Sequence, residues 1–363
     1  MIAKSSKVKI AVIGVGLIGP RHCRTIITSS DATLTAIVDP LRQGAKLAEE
    51  LGTKHYKSIQ DLLMSPEKPD AAIVCTPNQT HVPIAKELAD AGIHVLVEKP
   101  ISPDVESGRD LVNHTQKTRT HVLIGHHRRH NPYIAVARNA VASGSLGDII
   151  AVNGLWALFK PVDYFEAPTE WRKGKNGGVV LINFIHEIDL LHHLFGPIVR
   201  VHAEQMKRMR GYEVEEGAAI TLKFLSGTVG TFLFSDNLPS PYSFEAGTGE
   251  NPLIPKVGAS FYHIFGTNAS LSIPDMTRWS YDGVVKSWHE PITQRRLEVK
   301  ESVPFELQLA HFVRVCRGEE QPSCTAEDGL AALIVCNAVK RAIQTGDTVD
   351  IDELKGRTFG SSI

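Results

Sequence analysis

The stretch "VKIAVIGVGLIGPRHC", residues 8–23, decides the fold. Val8 to Ile13 form a short, nearly continuous apolar run, the pattern of a strand buried on both faces. The run stops at a glycine turn in which Gly14, Gly16 and Gly19 keep G-x-G-x-x-G spacing. Residues 17–29 then carry helical spacing. In a strand–turn–helix unit each glycine has a task. Gly14 permits the tight turn, Gly16 lets backbone approach a pyrophosphate, and Gly19 lets helix and strand close on each other. The helix start then aims its N–H groups at the anion.

A second observation supports this reading. Asp39 closes the next strand, 20 residues after Gly19, where an acid accepts hydrogen bonds from ribose hydroxyls. A carboxylate there repels a 2′-phosphate, so NAD is favoured over NADP. Arg42 lies close enough to leave NADP open. Leu17 and Ile18 occupy the intervening loop positions and count as cofactor contacts.

Outward from this unit the alternation continues. "LTAIVD" (34–39), "DAAIVCT" (70–76), "IHVLVE" (93–98) and "HVLIGH" (121–126) read as strands. Residues 42–51, 79–91 and 103–118 read as helices between them. This predicts a parallel sheet covered on both sides. From about residue 148 longer strands follow one another: "DIIAVNGLWALF", "IVRVHAEQM", "GAAITLKFL", "TVGTFLFS", "SFYHIFGT" and "ASLSIP". Several alternate polar and apolar residues, as an antiparallel sheet with one open face does. "LSGTVG" (225–230) reads as a hairpin turn, and 185–196 as a helix stopped by Gly196-Pro197. Helices are predicted near 304–317 and 326–345. The Pro/Gly-rich stretch 239–255 reads as a mobile loop. The expected class is α/β: an N-terminal Rossmann parallel sheet (1–127), then an α+β domain with an open-faced, mainly antiparallel sheet (128–363). The C-terminal helices are free to pack back on the first domain.

A chain of 363 residues is long for one core, in agreement with two domains. With 39 basic and 40 acidic residues, its formal charge is −1, so nothing favours a nucleic-acid partner. No apolar run reaches the roughly 20 residues that span a bilayer. The five cysteines are scattered without a C-x-x-C pair and read as reduced thiols of a cytoplasmic protein. "HEIDLLH" (186–192) lacks the paired histidines of H-E-x-x-H, so no metal is expected.

"VLVEKPIS" (95–102) brings the argument to chemistry. Lys99 follows the strand 93–98, at the sheet end where open α/β folds keep ligands. A cation there stabilises a developing alkoxide, Glu98 is placed to hold it, and a cis Lys99–Pro100 bond would aim it. An ordinary surface lysine is the plain alternative.

The ordered set G-x-G-x-x-G, "CTPNQTH" (75–81), "EKP" (98–100), "RRHNP" (128–132) and "GG…IHEID" (177–189) resembles the glucose–fructose oxidoreductase / inositol dehydrogenase (Gfo/Idh/MocA) family across essentially the whole chain. The resemblance implies that Thr76, Pro77 and Asn78 border the nicotinamide ribose, and that His81 is the family's histidine opening the next helix. It places Glu98 and Lys99 at nicotinamide and substrate, and Arg128 and Arg129 at the domain junction. Trp171 and Arg172 fall in the segment that reaches towards the cofactor. His186 matches the family's proton-transferring histidine, a role an imidazole suits. One departure stands out: the family often has an Asp four residues before this histidine, and here that position is Ile182, followed by Asn183. Asp189 reads as a surface or domain-contact carboxylate.

The aromatic and charged segment 156–178 suits a polyhydroxylated ring. Lys160, Tyr164, Arg172, Asn183, Lys99 and His186 are the candidate substrate contacts. The implied activity is hydride transfer between a secondary alcohol of a cyclic polyol or sugar and NAD, in a homodimer or homotetramer joined through the open sheet. The alternatives are a dihydrodiol dehydrogenase, an NAD-dependent glycosidase, or a non-catalytic dinucleotide sensor resembling the yeast galactose-regulon repressor.

Overall fold

The computed structural model describes residues 6–175 and 177–356. Its first elements alternate strictly: β1 (Val8–Ile13), α1 (Gly19–Thr28), β2 (Ala32–Val38), α2 (Arg42–Glu50), β3 (Lys54–Tyr56), α3 (Ile59–Met64), β4 (Ala71–Val74), α4 (His81–Asp90), β5 (His94–Val97), α5 (Val105–Thr115) and β6 (Val122–Ile124). Then come α6 (Pro132–Ala142), β7 (Ile149–Ala157), a π-helical turn (Val180–Phe184), α7 (Ile185–Phe195), β8 (Ile198–Gln205), β9 (Gly217–Phe224) and β10 (Val229–Ser235). The chain continues through α8 (Phe244–Thr248), β11 (Tyr262–Gly266), β12 (Ala269–Ile273), β13 (Thr277–Ser280), β14 (Thr293–Arg296), α9 (Pro304–Cys316), α10 (Ala326–Thr345) and β15 (Val349–Asp350).

Two compact units result. The first runs to His130 and takes back Val303–Leu333; the second holds Asn131–Ser302 and the described residues that follow Leu333. In the first, six strands pair in the order β3-β2-β1-β4-β5-β6, every pair parallel. The order reverses at β1, which puts the switch point beside the glycine turn. Val8, Ile10 and Val12 of β1 are fully buried, as their continuous apolar pattern requires, and share a core with Leu309, Phe312 and Val313 of α9. α10 enters this unit closely, since a Cβ on Gly329 would lie 2.6 Å from Ile124 Cγ1.

The second unit holds a nine-stranded sheet, β14-β13-β12-β11-β7-β10-β9-β8-β15. Only β7 and β10 pair in parallel. Alternation of burial along β9 from Ala218 onward gives the sheet one packed and one open face. On the packed face Phe184 stacks on Phe234 at 4.2 Å and meets Phe232 edge-on at 4.9 Å. Fully burying such a ring contributes about 1.5–3 kcal/mol. The open face carries Ala151, Asn153, Thr221, Lys223, Val229, Thr231 and Phe265.

The strand patterns hold, but several segments differ from expectation, among them the unanticipated short strands β13, β14 and β15. β3 and α3 were not distinguished in the sequence, being three and six residues long. α6, begun by Pro132 and capped by the Asn131 side chain, lay hidden next to "RRHNP". The stretch 239–255 is not a loose loop. It contains α8, whose five residues are all buried, with Ser243 capping its start and Gly249 in the left-handed region at its end.

Candidate active site

In the first unit the glycine turn has the expected construction. Gly14 sits at φ +85°, a conformation that favours glycine. A Cβ on Gly19 would lie 2.2 Å from Gly14 O, so helix and turn touch through bare backbone. A Cβ on Gly16 would meet nothing within 4 Å, which leaves open space in front of the loop. No side chain caps α1. Leu17 is 72% exposed and Ile18 half-buried.

Asp39 is buried beside this loop and ties it down. Its Oδ2 accepts from Val15 N at 2.9 Å and its Oδ1 from Leu41 N at 2.8 Å. A carboxylate has about four lone-pair sites, so two remain for a ribose. Gly44 lets α2 close on Asp39, because a Cβ there would lie 2.4 Å from Asp39 Cβ. Arg42 is exposed at the first position of α2. Open space before Gly16, the uncapped helix and the buried acid together fit a dinucleotide.

Thr76, Pro77 and Asn78 follow β4 at its carboxyl end. His81 is buried there, its Nδ1 2.8 Å from Pro100 O and its Nε2 2.8 Å from Thr76 O. Burial, the largest influence, pushes its pKa down. A neutral imidazole donates to one of these carbonyls. Both ring nitrogens face backbone, so His81 braces the β4 and β5 ends rather than pointing at a ligand.

Lys99 directly follows β5 and Glu98, and the Lys99–Pro100 bond is cis. Glu98 is tied into the unit as well: its Oε1 accepts from His22 Nε2 at 2.8 Å and its Oε2 from Lys99 N at 3.3 Å. Burial alone would raise the Glu98 pKa. The hydrogen bond and charge of His22, then His127 and Lys99, outweigh it and hold the carboxyl at about 2. Arg128 and Arg129 are both buried. Arg129 bonds Ser323 O and pairs with Asp328 at 3.3 Å, a contact inside the first unit.

The Glu98 shift carries a pH prediction. A carboxyl lowered from 4.5 to about 2 contributes roughly 3 kcal/mol of stability. That contribution is complete above pH about 4.5 and is lost as pH falls through about 2. Denaturant unfolding of the wild type and Glu98→Gln should differ most near pH 7, with the gap narrowing below pH 4.5. Parallel profiles down to pH 3 would refute the pairing.

In the second unit, charged and aromatic side chains gather at the ends of β7 and β10. Lys160 is 6% exposed. Its Nζ donates to Asn183 Oδ1 at 2.5 Å and pairs with Asp236 at 3.2 Å. It also lies 4.5 Å over the Tyr164 ring. Arg210 holds the other side of Asp236 at 2.6 Å. Arg172 stacks at 3.8 Å on Tyr164 and donates to its carbonyl oxygen at 2.9 Å. Trp171 is half exposed. Gly177 is required because a Cβ there would strike Arg172 O at 2.3 Å. His186 is 6% exposed, in the first turn of α7. Asp189 is not a surface carboxylate: it is 1% exposed. Glu187, also buried, accepts from the Tyr262 hydroxyl.

The structure thus brings Lys160, Tyr164, Arg172 and Asn183 into one cluster. It adds residues that the sequence did not single out: His22, Gly44, Asp236 and Arg210. Asp236 ends the run "TFLFSD", and a charge closing an apolar strand is the one signal that marks it.

These features define an NAD-binding oxidoreductase of two-domain build. The chain belongs to the Gfo/Idh/MocA oxidoreductase family. Residues 8–126 match its NAD-binding Rossmann fold and residues 138–351 its C-terminal alpha/beta domain. The chain is 26% identical over 357 residues to the myo-inositol 2-dehydrogenase of Thermotoga maritima, covering 96% of this chain and 100% of that one. It is 24% identical to the NAD(+) scyllo-inositol 2-dehydrogenase of Bacillus subtilis, covering 97% and 98%. Among solved structures, the WlbA dehydrogenase of Bordetella pertussis in complex with NADH and UDP-GlcNAcA superposes with TM-score 0.75. It is 22% identical, with 95% of this chain and 98% of that one covered. No helix among the described residues is long and apolar enough to cross a membrane.

Proposed function

We propose that the chain transfers a hydride between a secondary alcohol of a cyclic polyol or sugar-like substrate and NAD, with Lys99 and His186 sharing the proton work. The observation that carries this is the placement of Lys99 at the carboxyl end of β5, in the same sheet as the dinucleotide loop. Sequence similarity to inositol dehydrogenases along nearly the full chain supports it.

When bound, NAD supplies the hydride acceptor or, in reverse, the donor. The remaining work falls to side chains and backbone. The 14–19 loop and the start of α1 hold the pyrophosphate, with Leu17 and Ile18 against it. Asp39 takes the adenosine ribose hydroxyls, and Thr76 to Asn78 border the second ribose. Lys99 Nζ stabilises the oxygen that gains charge as its proton leaves, and the His186 imidazole receives or returns that proton. Arg172 and Tyr164 offer a donor and an aromatic face to a polyol ring, and Trp171 is placed in the segment assigned to the cofactor. In this reading Glu98 and His81 serve the cofactor indirectly, by fixing the strand ends that carry Lys99 and Thr76. Assembly as a homodimer or homotetramer uses the open sheet face, where Val229 and Phe265 are exposed.

The test is a screen for NADH formation across inositols, aldoses, anhydrosugars and cyclic diols, with NADP in parallel. Turnover with at least one cyclic polyol or sugar and NAD is expected. Binding of NAD without turnover on any of them would defeat the reading in favour of a sensor.

A further inference from the structure

The turn before His186 lacks a carboxylate, yet it is not without a charged partner. Asn183 lies three residues before His186, inside the π-helical turn Val180–Phe184 that leads into α7. Such turns are frequent at functional sites. Its start is fixed from outside, because Val180 N donates to Glu215 Oε1 at 2.9 Å. The Asn183 side chain is fixed as well. An ammonium only donates, so the amide atom 2.5 Å from Lys160 Nζ is the carbonyl oxygen. That settles which way the amide faces: Oδ1 is committed to Lys160, and the Nδ2 hydrogens are presented on the other side. Lys160 is in turn held by Asp236 at 3.2 Å, and Asp236 by Arg210 at 2.6 Å.

We propose that Lys160 and Asp236 are positioning residues that lock Asn183 as a hydrogen-bond donor one turn before His186, so that the substrate atom recognised there is an oxygen lone pair of a hydroxyl or carbonyl group. This rests on the reading of His186 as a reacting residue. It differs from a direct substrate role for Lys160, whose ammonium is already engaged by Asn183, Asp236 and the Tyr164 ring. It also bears on the departure at Ile182: the neighbouring Asn183 is oriented by a cation on the segment after β7, itself held by an acid after β10.

The charge balance gives the lock a pH range. The groups facing Lys160 are Asp236 and Glu245, which raise its pKa, and Arg172, which lowers it; Tyr164 covers it. Burial is the largest influence, and the outcome is a lysine pushed down to about 8. Below that pH the ammonium enforces the Asn183 orientation. Above it, a neutral amine carries a lone pair and tolerates either face of the amide.

The test uses the full chain and two readouts. In the first, the Asn183 side-chain amide NMR signal, assigned by its disappearance in Asn183→Asp, is followed from pH 6.5 to 9.5. It should shift with a midpoint near 8 in the wild type, at lower pH in Asp236→Asn, and not at all in Lys160→Arg, whose guanidinium keeps its proton. In the second, substrate KM in the wild type should rise several-fold across the same midpoint with little change in kcat, and the rise should be absent in Lys160→Arg. Circular dichroism checks that each variant is folded. An Asn183 signal indifferent to pH, or one that moves identically in wild type and Lys160→Arg, overturns the lock. The NMR readout needs no turnover, so it stands even if the dehydrogenase reading fails. A KM that rises identically in wild type and Lys160→Arg overturns the assignment of the alkaline limb to Lys160.

Discussion

Lys99→Met is expected to lower kcat by about 10²–10⁴-fold while changing NAD(H) affinity by no more than a few-fold. The substitution keeps an unbranched chain and removes the charge. β5 ends at Val97, Glu98 is turned inward to His22, and Pro100 O is taken by His81. The backbone that positions residue 99 is therefore held by neighbours, and its side chain is not needed for that. What disappears is the ammonium that meets the alkoxide. Kinetics with the best substrate of the screen, together with NADH fluorescence binding, separate the two effects. A variant within tenfold of wild-type kcat would remove Lys99 from the chemistry. A variant that no longer binds NADH would show that the lysine serves the cofactor first.

Gly19→Val is expected to weaken NAD binding by at least about 100-fold, on the order of 2.7 kcal/mol, and to lower the melting temperature by several degrees. The reason is local. The obstacle to a Cβ at position 19 is Gly14 O at 2.2 Å, a backbone atom that cannot swing aside. α1 must move away from the turn, and the N–H groups at its start move with it. Gly16→Ala is the control. Its Cβ meets no protein atom within 4 Å, so the fold should be unaffected, and any lost affinity reports a ligand occupying that space. Wild-type NAD affinity in both variants would mean that the dinucleotide does not lie on this loop.

Much of this was legible in the sequence because the first unit is built from local signals. Continuous apolar runs, glycines at fixed offsets and an acid at the next strand end are all read within about forty residues of chain. The long alternating strands of the second unit were legible for the same reason. Short elements were not: β3 and α3 carry too few residues to show a period. α8 was misread because glycines and prolines usually mark turns, and only tertiary burial of Phe244 and Glu245 reveals a helix there. At the site, the residue types were legible and their partners were not. Glu98 reads as a neighbour of Lys99 because they are adjacent in sequence, whereas its bond to His22, 76 positions away, has no signal in the sequence. Lys160, Asn183 and Asp236 meet from three separate segments. No spacing rule announces such a contact, since it depends on where β7, the π turn and β10 end relative to one another.

The return of Val303–Leu333 to the first unit has a consequence for how the protein is made. During vectorial synthesis the six parallel strands leave the ribosome long before Phe312 and Val313, which complete their core. The nascent nucleotide-binding portion therefore waits, with part of an apolar surface uncovered, while eight of the nine strands of the second sheet are translated. Its maturation is coupled to the last stages of elongation, and a transcript cut short before α9 yields a fragment suited to chaperones rather than to cofactor.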